Sequence, residues 1–311
     1  VNRKLNVNGN SIDIKSPIIG ADGYRSIVSS HVAALNKNEL DYINIEHSYK
    51  ELTIKSKNNE FQMEPNSLHI WPRRDMMMIA LPNMDKSFTC TLFMKSKGEN
   101  SFKSIADKNS LLNFFGNNFC DVIPLLDNLE YDFFNNPIGK LVGLRCPTWN
   151  YEGQALSIGD AAHATVPFYG QGMNASFEDC YILSQIIGEK SNFDWKDIFD
   201  EFYKKRKKDA DAILDLSLDN YTVMRNDVLD ESHINKQKLS FILNNDYPDQ
   251  FIPLYTMVSF TTIPYKQAYD RGKIQSNILD KLLENNDANI ENYDKQKASE
   301  LINKKLTKIS C

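Results

Sequence analysis

Apolar positions along this 311-residue chain change period several times, and each change predicts a new element. Residues 11–23 read as a buried strand running into a tight turn, with Ile18 and Ile19 as its buried pair. Gly20 and Gly23 bound that turn, since glycine adopts backbone conformations that a Cβ resists. From about Asp41 to Met94 the period falls to two. Leu68 and Ile70 before Pro72 predict a short strand closed by a turn. Met76, Met78 and Ala80 alternate with Met77, Ile79 and Leu81, so both faces of that strand are expected to be covered. Phe88, Cys90, Leu92 and Met94 mark the next strand, and the turn-rich stretch 82–87 predicts a hairpin between the two. Between Ser101 and Asn128 the spacing is helical, with Leu111, Leu112, Phe114, Phe115 and Phe119 as core candidates. Strands are expected again at 140–146 and 155–158. The remainder reads mainly as helix. Phe177, Cys180, Leu183, Ile186 and Ile187 are expected on one face of a helix after Gly172, and a longer helix from about Asp194 past Asn220. No internal repeat or low-complexity linker is present.

Composition narrows the class. Hydrophobic residues make up 41% and charged residues 25%, ordinary for a globular chain, which excludes wholesale disorder. The length suggests about two domains. With 36 basic against 41 acidic residues the net charge is −5, opposite to a nucleic-acid footprint. No apolar run is long enough to span a membrane. Residues 1–6 lack the apolar core of a signal peptide, and the first residue is not Met, so a fragment of a longer protein is expected. The five cysteines, Cys90, Cys120, Cys146, Cys180 and Cys311, form no C-x-x-C pair, and the five histidines no H-x-x-x-H pair. That argues against a metal centre and suits free thiols in a reducing cytoplasm.

The most informative stretch is 157–175. A strand ends at Ile158, Gly159-Asp160 follows, and a loop containing Pro167 leads through Gly170 and Gly172 into a helix. Such a helix start aims backbone N–H groups at one point, a site for an anion or an electron-rich ring edge. Asp160 could accept hydrogen bonds from a sugar-like hydroxyl chain. A tight strand-to-helix connection with no ligand is the competing reading, and both stay open here. Residues 170–175 also match G-x-G-x-x-A, but the fingerprint needs a strand directly before its first glycine. A Rossmann start is therefore rejected at this point, and contact with another part of a nucleotide cofactor is expected. His163 has no accompanying G-x-S-x-G nucleophile and reads as structural. In the basic run 204–208, Asp200 and Glu201 precede Lys204 and Lys205 by four residues, and Asp211 follows Lys207 by four. This describes a solvated helix face with ion pairs worth about 0.2–0.5 kcal/mol each. Met76, Met77 and Met78 suit core packing, and also the wall of an apolar pocket.

These motifs support a resemblance. Residues 18–26 (I-I-G-A-D-G-Y-R-S) and 159–163 (G-D-A-A-H) resemble two signatures of the class A flavoprotein aromatic hydroxylases. Residues 68–73, 77–84, 167–174, 220–225 and 253–260 resemble the kynurenine 3-monooxygenase branch, so the likeness runs from about 18 to 271. It implies an α/β fold. A Rossmann-like, glutathione-reductase-type FAD-binding domain would occupy 1–30 and 139–222, with an inserted antiparallel-sheet substrate domain at 31–138 and a C-terminal helical region at 223–311. It also implies that Asp22, Asp160, Met173 and Asn174 hold FAD. Asn220 and Tyr265 would then hold the amino-acid end of the substrate, and Leu68, Met77, Ile79, Leu81, Phe93, Pro167 and Phe168 would surround its aromatic ring. The implied activity is hydroxylation of L-kynurenine to 3-hydroxykynurenine with NADPH and O₂, in the kynurenine pathway of tryptophan breakdown. No catalytic side chain or metal is implied, since the cofactor performs the oxygen chemistry.

Two departures stand out. Val223 occupies a position where the family usually has Glu. The glycine-rich βαβ unit with which family members begin does not precede residue 1, so an N-terminally incomplete domain, inactive by itself, is expected. The polar tail after 285 resembles members without a membrane anchor, which implies a cytoplasmic protein. Two other readings compete: another class A hydroxylase with a different aromatic substrate, and a non-catalytic fragment.

Overall fold

A computed structural model describes residues 4–226, 230–284, 290 and 293–309; Cys311 lies outside the described residues. The strands are β1 (Lys4–Val7), β2 (Asn10–Asp13), β3 (Ile18–Gly20), β4 (Asp41–Ile54), β5 (His69–Arg73), β6 (Met76–Pro82), β7 (Phe88–Lys95), β8 (Gly139–Arg145), β9 (Asn150–Tyr151) and β10 (Ala155–Ser157). Interleaved with them are helices α1 (Ile27–Leu35), α2 (Lys108–Asn118), α3 (Leu129–Asn135), α4 (Asp160–His163), α5 (Gly172–Glu189) and α6 (Trp195–Asn226). The chain closes with α7 (Glu231–Asp246), α8 (Leu254–Phe260), α9 (Tyr265–Leu283) and α10 (Lys295–Lys305).

Two compact units emerge. The first comprises Val1–Ile43, Val142–Asn220 and Asn235–Cys311; the second comprises Asn44–Leu141 and Tyr221–Ile234. The inserted segment thus starts at 44 and ends at 141, against the 31 and 138 read from sequence, and helices after 235 group with the first unit.

In the first unit, β1 and β2 form an exposed hairpin around Asn8-Gly9, both at positive φ (51° and 83°). Asn-Gly is the preferred pair for such a tight hairpin turn, a signal the strand reading of 11–23 passed over. β3 runs parallel to β10, which pairs antiparallel with β9. The expected burial of Ile18 and Ile19 is corrected: Ile18 is half-buried and Ile19 is exposed, because β3 is an edge strand of this small sheet and no described element covers Ile19. Gly20 is needed for a different reason than a turn. A Cβ there would lie 2.5 Å from Val28 Cβ, so only glycine lets α1 approach β3 this closely, while Gly23 makes the turn at φ 80°. Ser29 of α1 donates to the carbonyl of Ala161 (2.5 Å) and lies 2.9 Å from Ser157 Oγ, tying α1 to both β10 and α4.

The second unit is built on a sheet of order β5-β6-β7-β4-β8, with β5, β6, β7 and β4 paired antiparallel in turn. Leu52, Ile54, Met78, Ala80, Cys90 and Leu92 occupy one face and pack with Leu111, Phe114 and Phe115 of α2 and Phe133 of α3. Leu112 is exposed, since one residue along a helix turns about 100° away from the buried stripe of its neighbour Leu111. Pro72 lies inside β5 rather than closing it, tolerated because β5 is an edge strand. Lys50 is buried on the core face, and its ammonium donates to the carbonyls of Phe133 (2.5 Å) and Asn136 (2.7 Å) at the end of α3. That position at a helix C-terminus stabilises a cation, although burial lowers the Lys50 pKa.

Candidate functional site

In the first unit the strand-to-helix stretch folds into a cleft of about 650 Å³. Gly159 turns the chain after β10 at φ 58°, ψ −143°, a region that is essentially glycine's alone. Asp160 then opens the four-residue α4. Leu144 and Cys146, which belong to the same unit, hold this segment from behind, with Leu144 N–H donating to Ala164 O (2.9 Å) and Cys146 N–H to Ala162 O (3.2 Å). Asp160, Pro167 and Met173 line the cleft together with Gly159, Gly170 and Gly172. No side chain caps the N-terminus of α5, so its first N–H groups are available at the cleft. Desolvation raises the Asp160 carboxyl above its ordinary pKa, with His163 opposing the shift.

Asp22 sits elsewhere. Its backbone neighbours Ala21 and Gly23 line the cleft, but its carboxylate accepts from Ser26 Oγ (2.5 Å) and Ile27 N–H (2.9 Å) at the start of α1. Desolvation raises the Asp22 pKa, and the bonds from Ser26 and Ile27 outweigh it, so the net shift is downward.

The loop before α5 is held by residues far away in sequence. Asn220 Nδ2 donates to Phe168 O (2.7 Å), and Tyr265 OH donates to Gln171 Oε1 (2.9 Å), which also accepts from Asn174 Nδ2 (3.0 Å). Phe168, Gln171 and Tyr265 are buried, whereas Pro167, Met173 and Asn174 are exposed. Burial chiefly, with Glu178 nearby, pushes the Tyr265 hydroxyl up to about 12. Gln171 was missed by the sequence reading, although its place between two glycines at a helix start was a usable signal. Val223 is half-buried on α6.

The expected buried face of α5 is corrected. Leu183 and Ile186 are buried, but Phe177 and Cys180 are exposed and line the cleft. Nine residues separate Phe177 from Ile186, about two and a half turns, so the two lie on opposite sides of the helix. Met173, Ser176, Phe177 and Cys180 make the cleft stripe, and Ala175, Asp179, Leu183 and Ile186 the buried one. The basic run on α6 also departs from expectation. Lys205 pairs with Glu201 (3.0 Å) and Lys207 with Asp211 (2.5 Å), as a solvated face requires. Arg206 is instead only 2% exposed and pairs with the fully buried Asp179 (2.8 Å) and with Glu178 (2.9 Å). His163 is buried: its ring packs 5.0 Å from that of Trp149, and its Nε2 lies 2.6 Å from Asp179 Oδ2.

In the second unit, register places Met77, Ile79, Leu81 and Phe93 on the sheet face opposite the core, whereas Pro167 and Phe168 belong to the loop before α5 in the first unit. Met77 stands between Pro72 and Phe93, Ile79 between Ile70 and Thr91, and Leu81 beside Thr89. Leu68 precedes β5 in line with that row. Met77 and Phe93 are buried, while Leu81 is 48% and Leu68 45% exposed, so the expected full cover of both faces holds only at the Met77 end. The helices α2 and α3 pack on the other face alone. His47 and Tyr221 were also missed. Tyr221 OH lies 2.5 Å from His47 Nδ1, and His47 Nε2 donates to Asp75 O (2.5 Å), joining α6, β4 and the β5–β6 turn within this unit.

The FAD binding domain family matches residues 6–217. The chain belongs to that family. Its sequence is similar to kynurenine 3-monooxygenases: 44% identical over 279 residues to that of Cytophaga hutchinsonii, covering 89% of this chain and 62% of the relative. The Dictyostelium discoideum enzyme is 40% identical over 306 residues, covering 94% of this chain and 66% of that one. The chain spans about three-fifths of the length of curated relatives it matches, 62% and 61% of two of them. Among solved structures, Klebsiella pneumoniae HpxO complexed with FAD and uric acid superposes with TM-score 0.60 at 14% identity, covering 78% of this chain and 64% of that one. A 2-methyl-3-hydroxypyridine-5-carboxylic acid oxygenase gives 0.57 at 17% identity, covering 73% and 60%. The shared fold is an α/β FAD-binding domain with an antiparallel sheet and C-terminal helices.

Proposed function

We propose that the protein works in the FAD-dependent hydroxylation of L-kynurenine to 3-hydroxykynurenine, with NADPH and O₂ as co-substrates. The observation that carries this reading is the 40–44% identity to kynurenine 3-monooxygenases over most of the chain. The cleft residues fit a flavin nucleotide: an uncapped helix start suits phosphate or a polar ring edge, and Asp160 suits hydroxyl groups. Asp160 and Met173 would hold the cofactor directly, Asn174 through Gln171, and Asp22 by shaping the turn of Ala21 and Gly23. FAD, when bound, supplies the oxygen-transfer chemistry.

The chain's own residues bind, orient and exclude water. Leu68, Met77, Ile79, Leu81 and Phe93 offer an apolar surface to an aromatic ring, and Pro167 and Phe168 belong to the same reading. Asn220 and Tyr265 brace the loop that carries them. The Tyr265 proton goes to Gln171, so its oxygen keeps lone pairs that can accept from an ammonium group. No helix among the described residues is long and apolar enough to cross a membrane. With Cys90 and Cys146 buried as free thiols pushed up to about 12 by burial, a cytoplasmic location is our reading. In the full-length enzyme, NADPH-dependent turnover of kynurenine should exceed that of simple hydroxybenzoates by at least about tenfold, a difference of roughly 1.4 kcal/mol. Preference for a hydroxybenzoate would sink the kynurenine reading and leave a different aromatic hydroxylase.

A further inference from the structure

One buried carboxylate, that of Asp179, lies behind the cleft and is not itself part of its lining. Oδ2 of Asp179 accepts from Gly159 N–H (2.9 Å) and from His163 Nε2 (2.6 Å). Gly159 is the residue that caps α4 and His163 is the last residue of α4, so a single oxygen holds both ends of the four-residue helix that begins with Asp160. Asp179 itself belongs to α5, whose first turns form the facing wall of the cleft through Met173 and Ser176. The other oxygen, Oδ1, accepts from Arg206 Nε (2.8 Å), and Arg206 Nη2 reaches Ala175 O (3.3 Å) on the same helix. A buried carboxylate needs such a partner to stay charged, and charge-assisted bonds are the stronger and more directional ones.

We infer that Asp179, braced by Arg206, is a positioning residue for the cofactor cleft. It fixes the spacing between the Gly159–Asp160 turn and the first turn of α5 through its bonds to Gly159 and His163. A four-residue helix has too few internal hydrogen bonds to hold its own orientation. The aim of Asp160 therefore depends on external anchors: Leu144, Cys146 and Ser29 hold carbonyls along the segment, and Asp179 alone among these bonds both of its ends; the inference rests on the reading of the cleft as the FAD site.

The test measures FAD affinity and the visible circular dichroism of the bound flavin, well below each variant's unfolding midpoint, with amide exchange at 159–163 followed in parallel. Asp179→Asn and His163→Leu should weaken FAD binding about tenfold and alter the flavin dichroism, as expected for losing a bond to a charged group. His163→Gln keeps an N–H donor toward Asp179 and should stay within about twofold of the unsubstituted protein. If Asp179→Asn does not fold, the two His163 variants carry the same comparison. Faster exchange at 159–163 with unchanged affinity and dichroism reduces Asp179 to a fold contact and overturns the inference alone. Failure of the unsubstituted protein to bind FAD overturns the cofactor reading, and this inference with it.

Discussion

Asp160 is under two opposing demands. Its carboxyl pKa is raised, first by desolvation, so at neutral pH the charged form is less favourable folded than unfolded. The folded protein therefore loses stability as pH rises through that raised pKa, and a neutral side chain escapes the loss. Asp160 is exposed at the cleft, so solvent screens much of that penalty: Asp160→Asn should raise the thermal midpoint at pH 7 only slightly, while weakening FAD retention about tenfold through loss of charge-assisted bonds. Melting curves and flavin content after gel filtration check the two halves; retained flavin equal to the unsubstituted protein would remove Asp160 from the cofactor site. Gly20 and Gly159 make a related point about legibility. Both were visible as glycines beside a strand end, yet one admits a packed helix and the other a positive φ, a distinction that only the tertiary structure makes.

At the scale of elements, α6 carries its basic run on two faces. Lys204 and Lys208 are exposed, whereas Arg206 points inward to Asp179. Arg206→Met leaves a buried carboxylate without its cation and should cost about 3–5 kcal/mol, while Lys204→Ala should change stability by no more than about 0.5 kcal/mol. Urea unfolding at pH 7 separates them; similar midpoints for both variants would mean that water reaches Asp179. The pH dependence has a definite sign. Burial raises the Asp179 pKa, but bonds from His163 and the charge of Arg206 outweigh it, so the net value lies below the ordinary 3.8. Its contribution is complete above that ordinary value and is lost as pH falls through the lower folded value. The gap between the unsubstituted protein and Arg206→Met should accordingly narrow at pH 3.

For the whole molecule, the FAD-binding family match covers the segments on either side of the inserted sheet unit, and its residues come from distant parts of the chain. Ile18–Gly20 pairs with Ala155–Ser157 across more than a hundred intervening residues. A ligand that binds only the folded form stabilises it by mass action, about 2.7 kcal/mol at one hundred times its Kd. FAD should therefore raise the thermal midpoint in proportion to the logarithm of its concentration, as differential scanning fluorimetry can follow. A midpoint indifferent to FAD would mean that the chain does not bind it, and would overturn the cofactor reading.

Local patterns and short motifs determined a good deal on their own. The alternation in β6 and β7, the hairpin between them, the long α6 and the Gly159–Asp160 turn all follow from neighbours a few residues apart, where periodicity and glycine placement act directly. The cleft wall was legible in part, through Asp160, Pro167 and Met173. What the fold alone decided is which apolar face is covered and which polar group meets which. Ile19 and Leu81 are exposed because no element among the described residues packs on them, and Arg206 is buried because Asp179, twenty-seven residues earlier, waits on the adjoining helix. Burial and pairing depend on contacts between segments that chain spacing does not encode, so the same basic run reads as solvent-facing in one dimension and as part of the core in three.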